Sequence, residues 1–196
     1  MKLYVEGGGE GRSNHEIFRQ GWGSFLRRAG LQGQMPQVIP GGGREQTFDK
    51  FNTALQNQRP DEVIILLVDS EGPVTAGNTA WQHLRNQDNW DQLPGADDDS
   101  AHLMVQVMET WFLADRDALR RFFGPSLNEN RFREWPNLED VPSDTVMNVL
   151  AQSTRTCQKP YRKGRVSFEL LSELDPQTVA AACPHADQLL TYLRTL

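Results

Sequence analysis

Apolar residues recur along this chain in two textures: short clusters four to seven residues long, and longer stretches in which they return every three or four positions. The clusters at 2–5, 35–40, 63–68 and 101–107 read as strands. Val-Ile-Ile-Leu-Leu-Val at 63–68 has no polar side chain, the pattern of a central parallel strand covered on both faces. Between the clusters lie helical periods. Residues 15–29 carry Ile17, Phe18, Trp22, Phe25 and Leu26 at helical spacing, with Gly30 placed to end the helix, although Gly21 and Gly23 weaken it. Residues 44–58 carry Phe48, Phe51 and Leu55 on one face, residues 75–89 read as a third helix, and a fourth opens at Glu109 and runs to about residue 123. This alternation predicts an α/β sandwich around a mainly parallel sheet flanked by helices.

The joints carry their own signals. Gly7, Gly8, Gly9 and Gly11 make a loop after the first strand, and Ser13 and Asn14 are suited to capping the helix that follows. Beyond Gly124 the texture changes: Pro125, Pro136, Pro142, Pro160, Pro176 and Pro184 punctuate short helical segments, including 143–154, 166–174 and 187–193. The chain therefore divides into an α/β core at 1–124 and a helical C-terminal extension at 125–196 packed on that core.

Composition narrows the class. The chain has 196 residues, 38% of them hydrophobic, and no apolar run near the roughly 20 residues of a membrane span. It enters its first strand without a signal-peptide pattern, so the expected location is cytoplasmic. Cys157 and Cys183 have neither the number nor the spacing of a disulfide scaffold or a zinc site. His15, His83, His102 and His185 form no ligand or triad grouping, and Ser70 lacks the Gly-x-Ser-x-Gly elbow of a serine hydrolase. A net charge of -6 argues against a nucleic-acid coat but not against an enzyme acting on nucleic acid, because a metal and local basic patches can invert the field at a site. One such patch is Lys159, Arg162, Lys163 and Arg165; another, Arg116, Arg120 and Arg121, is where a helix C-terminus favours basic residues.

The candidate chemistry is acidic. Glu6 and Glu10 follow the first strand, and Asp69 and Glu71 follow the 63–68 strand. Carboxylates at the C-terminal ends of neighbouring parallel strands meet in the crevice where open α/β sheets bind ligands. Four of them repel one another unless a hard divalent cation intervenes, and Mg2+ (or Mn2+) takes carboxylate oxygens together with water and phosphate. Asp69 and Glu71 fall on one side if the extended conformation persists past the strand. Glu109, at the end of the 101–107 strand, is a further candidate ligand, whereas Asp115 lies nearly two turns on. The run Asp97-Asp98-Asp99 in a Pro/Gly loop reads as a solvated turn. The glycine loop is neither a Walker loop nor a dinucleotide fingerprint. Lys163 and Arg162 are the candidate phosphate contacts.

Glu-Gly-x-x-Glu after a first strand and Asp-x-Glu-Gly after a later apolar strand resemble the Toprim domain of topoisomerases, bacterial primases and overcoming-lysogenization-defect nucleases. More narrowly, the segments 4–10, 67–72, 109–115 and 161–164 resemble the Toprim-like family DUF4276, over most of the chain. The resemblance implies a Toprim-like fold of about four parallel strands, with Glu6 as general acid/base or metal ligand and the pair Asp69 and Glu71 holding Mg2+. Glu71 departs from the aspartate common in the wider superfamily. The function implied is a Mg2+-dependent nuclease cutting DNA or RNA phosphodiesters, with Glu6, Asp69 and Glu71 catalytic and Glu10 or Glu109 completing the metal shell. It further implies an effector subunit of a phage-defence system, working with an ATPase partner of the AAA or ABC/SMC type. The alternative is a non-enzymatic regulatory or toxin-like subunit whose acidic pocket binds a partner ATPase or a nucleotide. Strand rejoining is disfavoured, because it needs a nucleophilic tyrosine and Tyr4 lies in a strand.

Overall fold

A computed structural model describes residues 1–9 and 11–196. Four strands, β1 (Lys2–Val5), β2 (Gln37–Pro40), β3 (Ile64–Asp69) and β4 (Ala101–Met104), form one parallel sheet in the order β2-β1-β3-β4. Helices α1 (Arg12–Leu26), α2 (Arg44–Gln56) and α3 (Ala80–Asp88) connect them. After β4 come α4 (Thr110–Ala114), α5 (Arg116–Phe123), α6 (Ser143–Thr154), α7 (Arg165–Leu171), α8 (Pro176–Ala182) and α9 (Pro184–Thr195). The α/β class, the parallel sheet and the helical C-terminal region are thus as the sequence indicates. None of the described helices is long and apolar enough to cross a membrane.

The unbroken apolar run of β3 is explained by its position. Strands alternate their side chains between faces, and here both faces are covered. Ile65 and Leu67 join Leu3 and Val5 in a core shared with α1 and the C-terminal helices. Ile64, Leu66 and Val68 join Tyr4 in a second core with Phe51 of α2 and Trp81 and Leu84 of α3. The first core runs from Leu3 to Leu193, so the C-terminal extension closes one face of the sheet. The closest join is α1 against α7. A Cβ at Gly21 would collide with the main-chain oxygen of Phe168, so the glycine is what lets the two backbones meet.

Several boundaries differ from the sequence reading. α1 starts at Arg12, so Ser13 and Asn14 lie inside its first turn and not at its cap. Gly30 does take positive φ (91°), but inside a wide turn, Arg27–Leu31, that prolongs α1. α3 starts at Ala80, where Thr79 accepts from the Gln82 N–H (3.2 Å) and Gln82 returns a bond from the Thr79 N–H (3.0 Å). The helix read from 109 to 123 is two. Asp115 (φ -108°, ψ 79°) breaks it and caps α5, accepting from the Ala118 N–H at 2.9 Å. β4 ends at Met104, three residues early, and α8 is a helix beyond the segments named from the sequence.

Candidate functional site

The strand order creates one switch point. The chain leaves β1 for β2 on one side, then returns across β1 to β3 and continues outward to β4. In open parallel sheets the crevice beyond the strand ends at such a point is where ligands bind. Here those ends belong to β1 and β3, and the residues standing there are Glu6 and Asp69.

Glu6 follows β1 directly, its N–H still donating to Leu67 O at 2.9 Å. Its Oε2 accepts from the Asp69 N–H (3.2 Å) and from Arg44 Nη1 (3.2 Å). Arg44 opens α2; it also donates to the main-chain oxygen of Asp69 and, in a two-pronged pair, to Asp88 (2.8 and 2.7 Å), and it lies over the Trp90 ring. Burial raises the Glu6 pKa, with Arg44 opposing.

Asp69 closes β3 on the same face as Ile65 and Leu67, 4% exposed. Its Oδ1 accepts from the Met108 N–H at 2.8 Å, a donor made available because the chain leaves the sheet at Met104. It caps no helix. Burial, then the nearby Glu6 carboxylate, pushes its pKa up to about 8.

Glu71 reaches the site by a different route from the one expected. The strand stops at Asp69, and Glu71 takes positive φ (58°) in a turn fixed by Ser70 N–H to Met104 O and Glu71 N–H to Gln106 O, both 3.0 Å. The turn, not extended backbone, brings it round. Glu6, Asp69 and Glu71 each offer an oxygen within 4.8 Å of the others, the one group of metal-ligand type found among the described residues.

Glu109 is fully buried and is not part of that group of three. Its Oε1 accepts from Tyr161 OH (2.7 Å) and Ser167 Oγ (3.3 Å), while its Oε2 is buried with no hydrogen bond. Lys163 links it to the cluster, with Nζ 3.8 Å from Glu109 Oε2 and 3.5 Å from Asp69 Oδ2. Burial works against the charge of Lys163, but Glu109, Asp69, Glu6 and Glu71 outweigh it and raise its pKa. Arg162 is exposed, and its neighbour Arg165 lines the site instead. Glu10 lies outside the described residues. Asp115 serves structure, as a cap and as acceptor for the Asp175 N–H at 2.8 Å. Asp97 to Asp99 likewise form a capped turn, with Asp97 bonded to Ser100.

A cavity of about 350 Å³ opens beside the acids, bounded by Gly7, Gly42, Met108, Lys163 and Phe168. Sequence reasoning missed Arg44, the Met108 N–H and Ser167. Arg44 did carry a signal, a cation directly after Gly41-Gly42-Gly43 at a strand end.

The fold and the site define an α/β protein with an acidic crevice at the switch point of a four-stranded parallel sheet. The chain belongs to the family described as Domain of unknown function (DUF4276), whose model matches residues 5–194. Comparison with curated proteins and with solved structures gives no match.

Proposed function

We propose that the protein is a Toprim-like, Mg2+-dependent nuclease that hydrolyses nucleic-acid phosphodiesters. The observation that carries this reading is the convergence of Glu6, Asp69 and Glu71 within 4.8 Å at the switch point, beside a lysine and a cavity. The donor set fits a hard divalent cation, since it offers carboxylate oxygen and neither thiolate nor imidazole. Asp69, raised by burial and then by the Glu6 carboxylate, is the buried group whose charge such an ion would offset. Glu6, Asp69 and Glu71 would hold the ion, which supplies Lewis acidity toward the phosphoryl group and charge for its transition state.

The chain's own residues do the remaining work. Asp69 is fixed by the Met108 N–H and Glu6 by Arg44, so neither must reorganise when substrate arrives. Glu6, oriented by Arg44 and the Asp69 N–H, takes a proton from the attacking water. The water oxygen bonds to phosphorus as one ester P–O bond breaks, and the leaving oxygen is protonated from solvent. Lys163 orients the phosphate. The Toprim resemblance adds an ATPase partner and a phage-defence setting to this proposal.

The test is cleavage of end-labelled DNA and RNA, single- and double-stranded, with Mg2+, Mn2+ or chelator, for the wild type and Asp69→Asn. We expect metal-dependent cleavage that falls on the order of 100-fold or more in the variant. No cleavage of any of these substrates, together with ion-dependent binding of a nucleotide or of an ATPase of the AAA or ABC/SMC type, would favour the regulatory-subunit reading.

A further inference from the structure

We infer that the centre takes a single divalent ion per chain, and that the Lys163 ammonium is its second cation, held between Asp69 and Glu109. The inference rests on the metal-binding reading above and adds the number of ions and the role of the lysine.

Among the described residues, the site's four carboxylates, Glu6, Asp69, Glu71 and Glu109, divide into two places. Glu6, Asp69 and Glu71 converge within 4.8 Å, while Glu109 stays outside that group. On the Glu109 side, the oxygens facing a cation are Asp69 Oδ2 and Glu109 Oε2, and Lys163 Nζ stands 3.5 and 3.8 Å from them. Glu109 Oε2 is buried with no hydrogen bond, so a cation at this position answers an oxygen that nothing else satisfies. Among the described residues, a second ion sharing Asp69 with the first would fall at this position, within a few ångströms of the Lys163 ammonium.

The lysine is placed by the chain on both sides of it. Tyr161 donates its OH to Glu109 Oε1 and its N–H to Thr154 Oγ1 (2.8 Å). Gly164, at φ 114°, donates its N–H to Ser167 Oγ (3.1 Å), and Ser167 also bonds Glu109. The segment carrying Lys163 is therefore tied through Tyr161 and Ser167 to the carboxylate that the ammonium serves. An ammonium gives charge without open coordination positions, so this half of the site can steady a phosphate while the acids on the other half hold the ion.

Mn2+ reports the arrangement without reference to cleavage. Equilibrium titration followed by electron paramagnetic resonance counts the ions and shows whether two are close enough to couple. We expect one uncoupled Mn2+ per wild-type chain. Lys163→Met should bind two coupled ions, and the double variant Lys163→Met/Glu109→Gln should return to one; circular dichroism checks that each is folded. Two coupled ions in the wild type would overturn the inference and leave the metal site standing, as would a single ion in a folded Lys163→Met. No ion in the wild type would instead sink the metal-binding reading on which the inference rests.

Discussion

Arg44 holds Glu6 by one nitrogen, Nη1 to Oε2 at 3.2 Å, while the opposite edge of the same guanidinium is gripped by Asp88. The fork therefore fixes the position of Glu6 by reference to the end of α3. Lysine would keep the charge but lose the two-pronged grip. For Arg44→Lys we expect a loss of about 1–2 kcal/mol in denaturant-measured stability, in keeping with charge-assisted bonds between partly exposed groups. We also expect weaker Mn2+ binding by calorimetry, because Glu6 is no longer oriented. Equal ion affinity in the variant would show that Arg44 serves the fold alone.

The pH dependence of stability should expose Asp69. Its carboxyl, raised by burial and then by Glu6 from 3.8 to about 8, binds a proton more tightly in the folded chain than in the unfolded one. Stability is thus lost as pH rises from about 4 through about 8, at up to about 1.4 kcal/mol per unit. His102, lowered by burial to about 4, acts in the opposite sense between there and its ordinary 6.5, where the unfolded chain holds the extra proton. The clean window is therefore pH 6.5 to 8, where His102 no longer opposes Asp69. Cys183, pushed up to about 12 by burial, lies beyond it. In chelator, the melting temperature should fall across this window. Saturating Mg2+ should flatten the fall, and so should Asp69→Asn, whose side-chain oxygen can still accept from the Met108 N–H. At pH 8 the ion-free variant should melt at or above wild type; a clear drop would mean that Asp69 is chiefly structural.

Much of this was legible because it depended on local pattern. The apolar run at 63–68 allowed a buried parallel strand and little else, and an acid at its end had to stand at the sheet's edge. Glu6 after β1 follows the same logic. What the pattern could not supply were relationships set by distant boundaries. The Met108 N–H reaches Asp69 because β4 stops at Met104, and no periodicity marks that stop. Glu109 meets Tyr161 and Ser167 across 52 and 58 residues, a consequence of α7 folding back on α1. Glu71 arrives through a left-handed turn that an acid-x-acid motif does not announce. The break at Asp115 did leave a trace, an aspartate three residues before the Ala118 N–H that it caps.

Two glycines in α1 should respond in opposite ways to the same change. Gly21 faces Phe168, and a Cβ there would strike its carbonyl oxygen and approach its Cα. Gly23 has nothing within 4 Å of the same position. Gly21→Ala should cost about 1–3 kcal/mol by overpacking. It should also push α7 outward, and with it Ser167 and the segment holding Lys163. Gly23→Ala should stabilise by about 0.5–1 kcal/mol through helix propensity alone. Urea melts of the two variants decide the matter, and equal effects would contradict the close approach of α1 and α7.

The basic patch beside the site is weaker than its sequence suggests. Of Lys159, Arg162, Lys163 and Arg165, two are engaged by a single acid: Arg165 pairs with Glu169 Oε1 at 2.8 Å, and Lys159 pairs with Glu169 Oε2. Lys163 is turned toward Asp69 and Glu109. Phosphate neutralisation supplies most non-specific nucleic-acid affinity, and each phosphate contacted adds roughly 0.7–0.9 to the slope of log affinity against log salt. A chain of net charge -6 with so much of this patch occupied should therefore bind weakly, with a slope of about 1–2 in magnitude. Glu169→Gln removes the one carboxylate shared by Lys159 and Arg165. Their side chains are 50% and 65% exposed, so the lost pairs should scarcely change stability. Fluorescence-anisotropy titrations of single-stranded DNA should show tighter binding by Glu169→Gln and a slope steeper by about one. An unchanged slope would mean that nucleic acid does not pass over this face, and that a partner must supply the surface that delivers it.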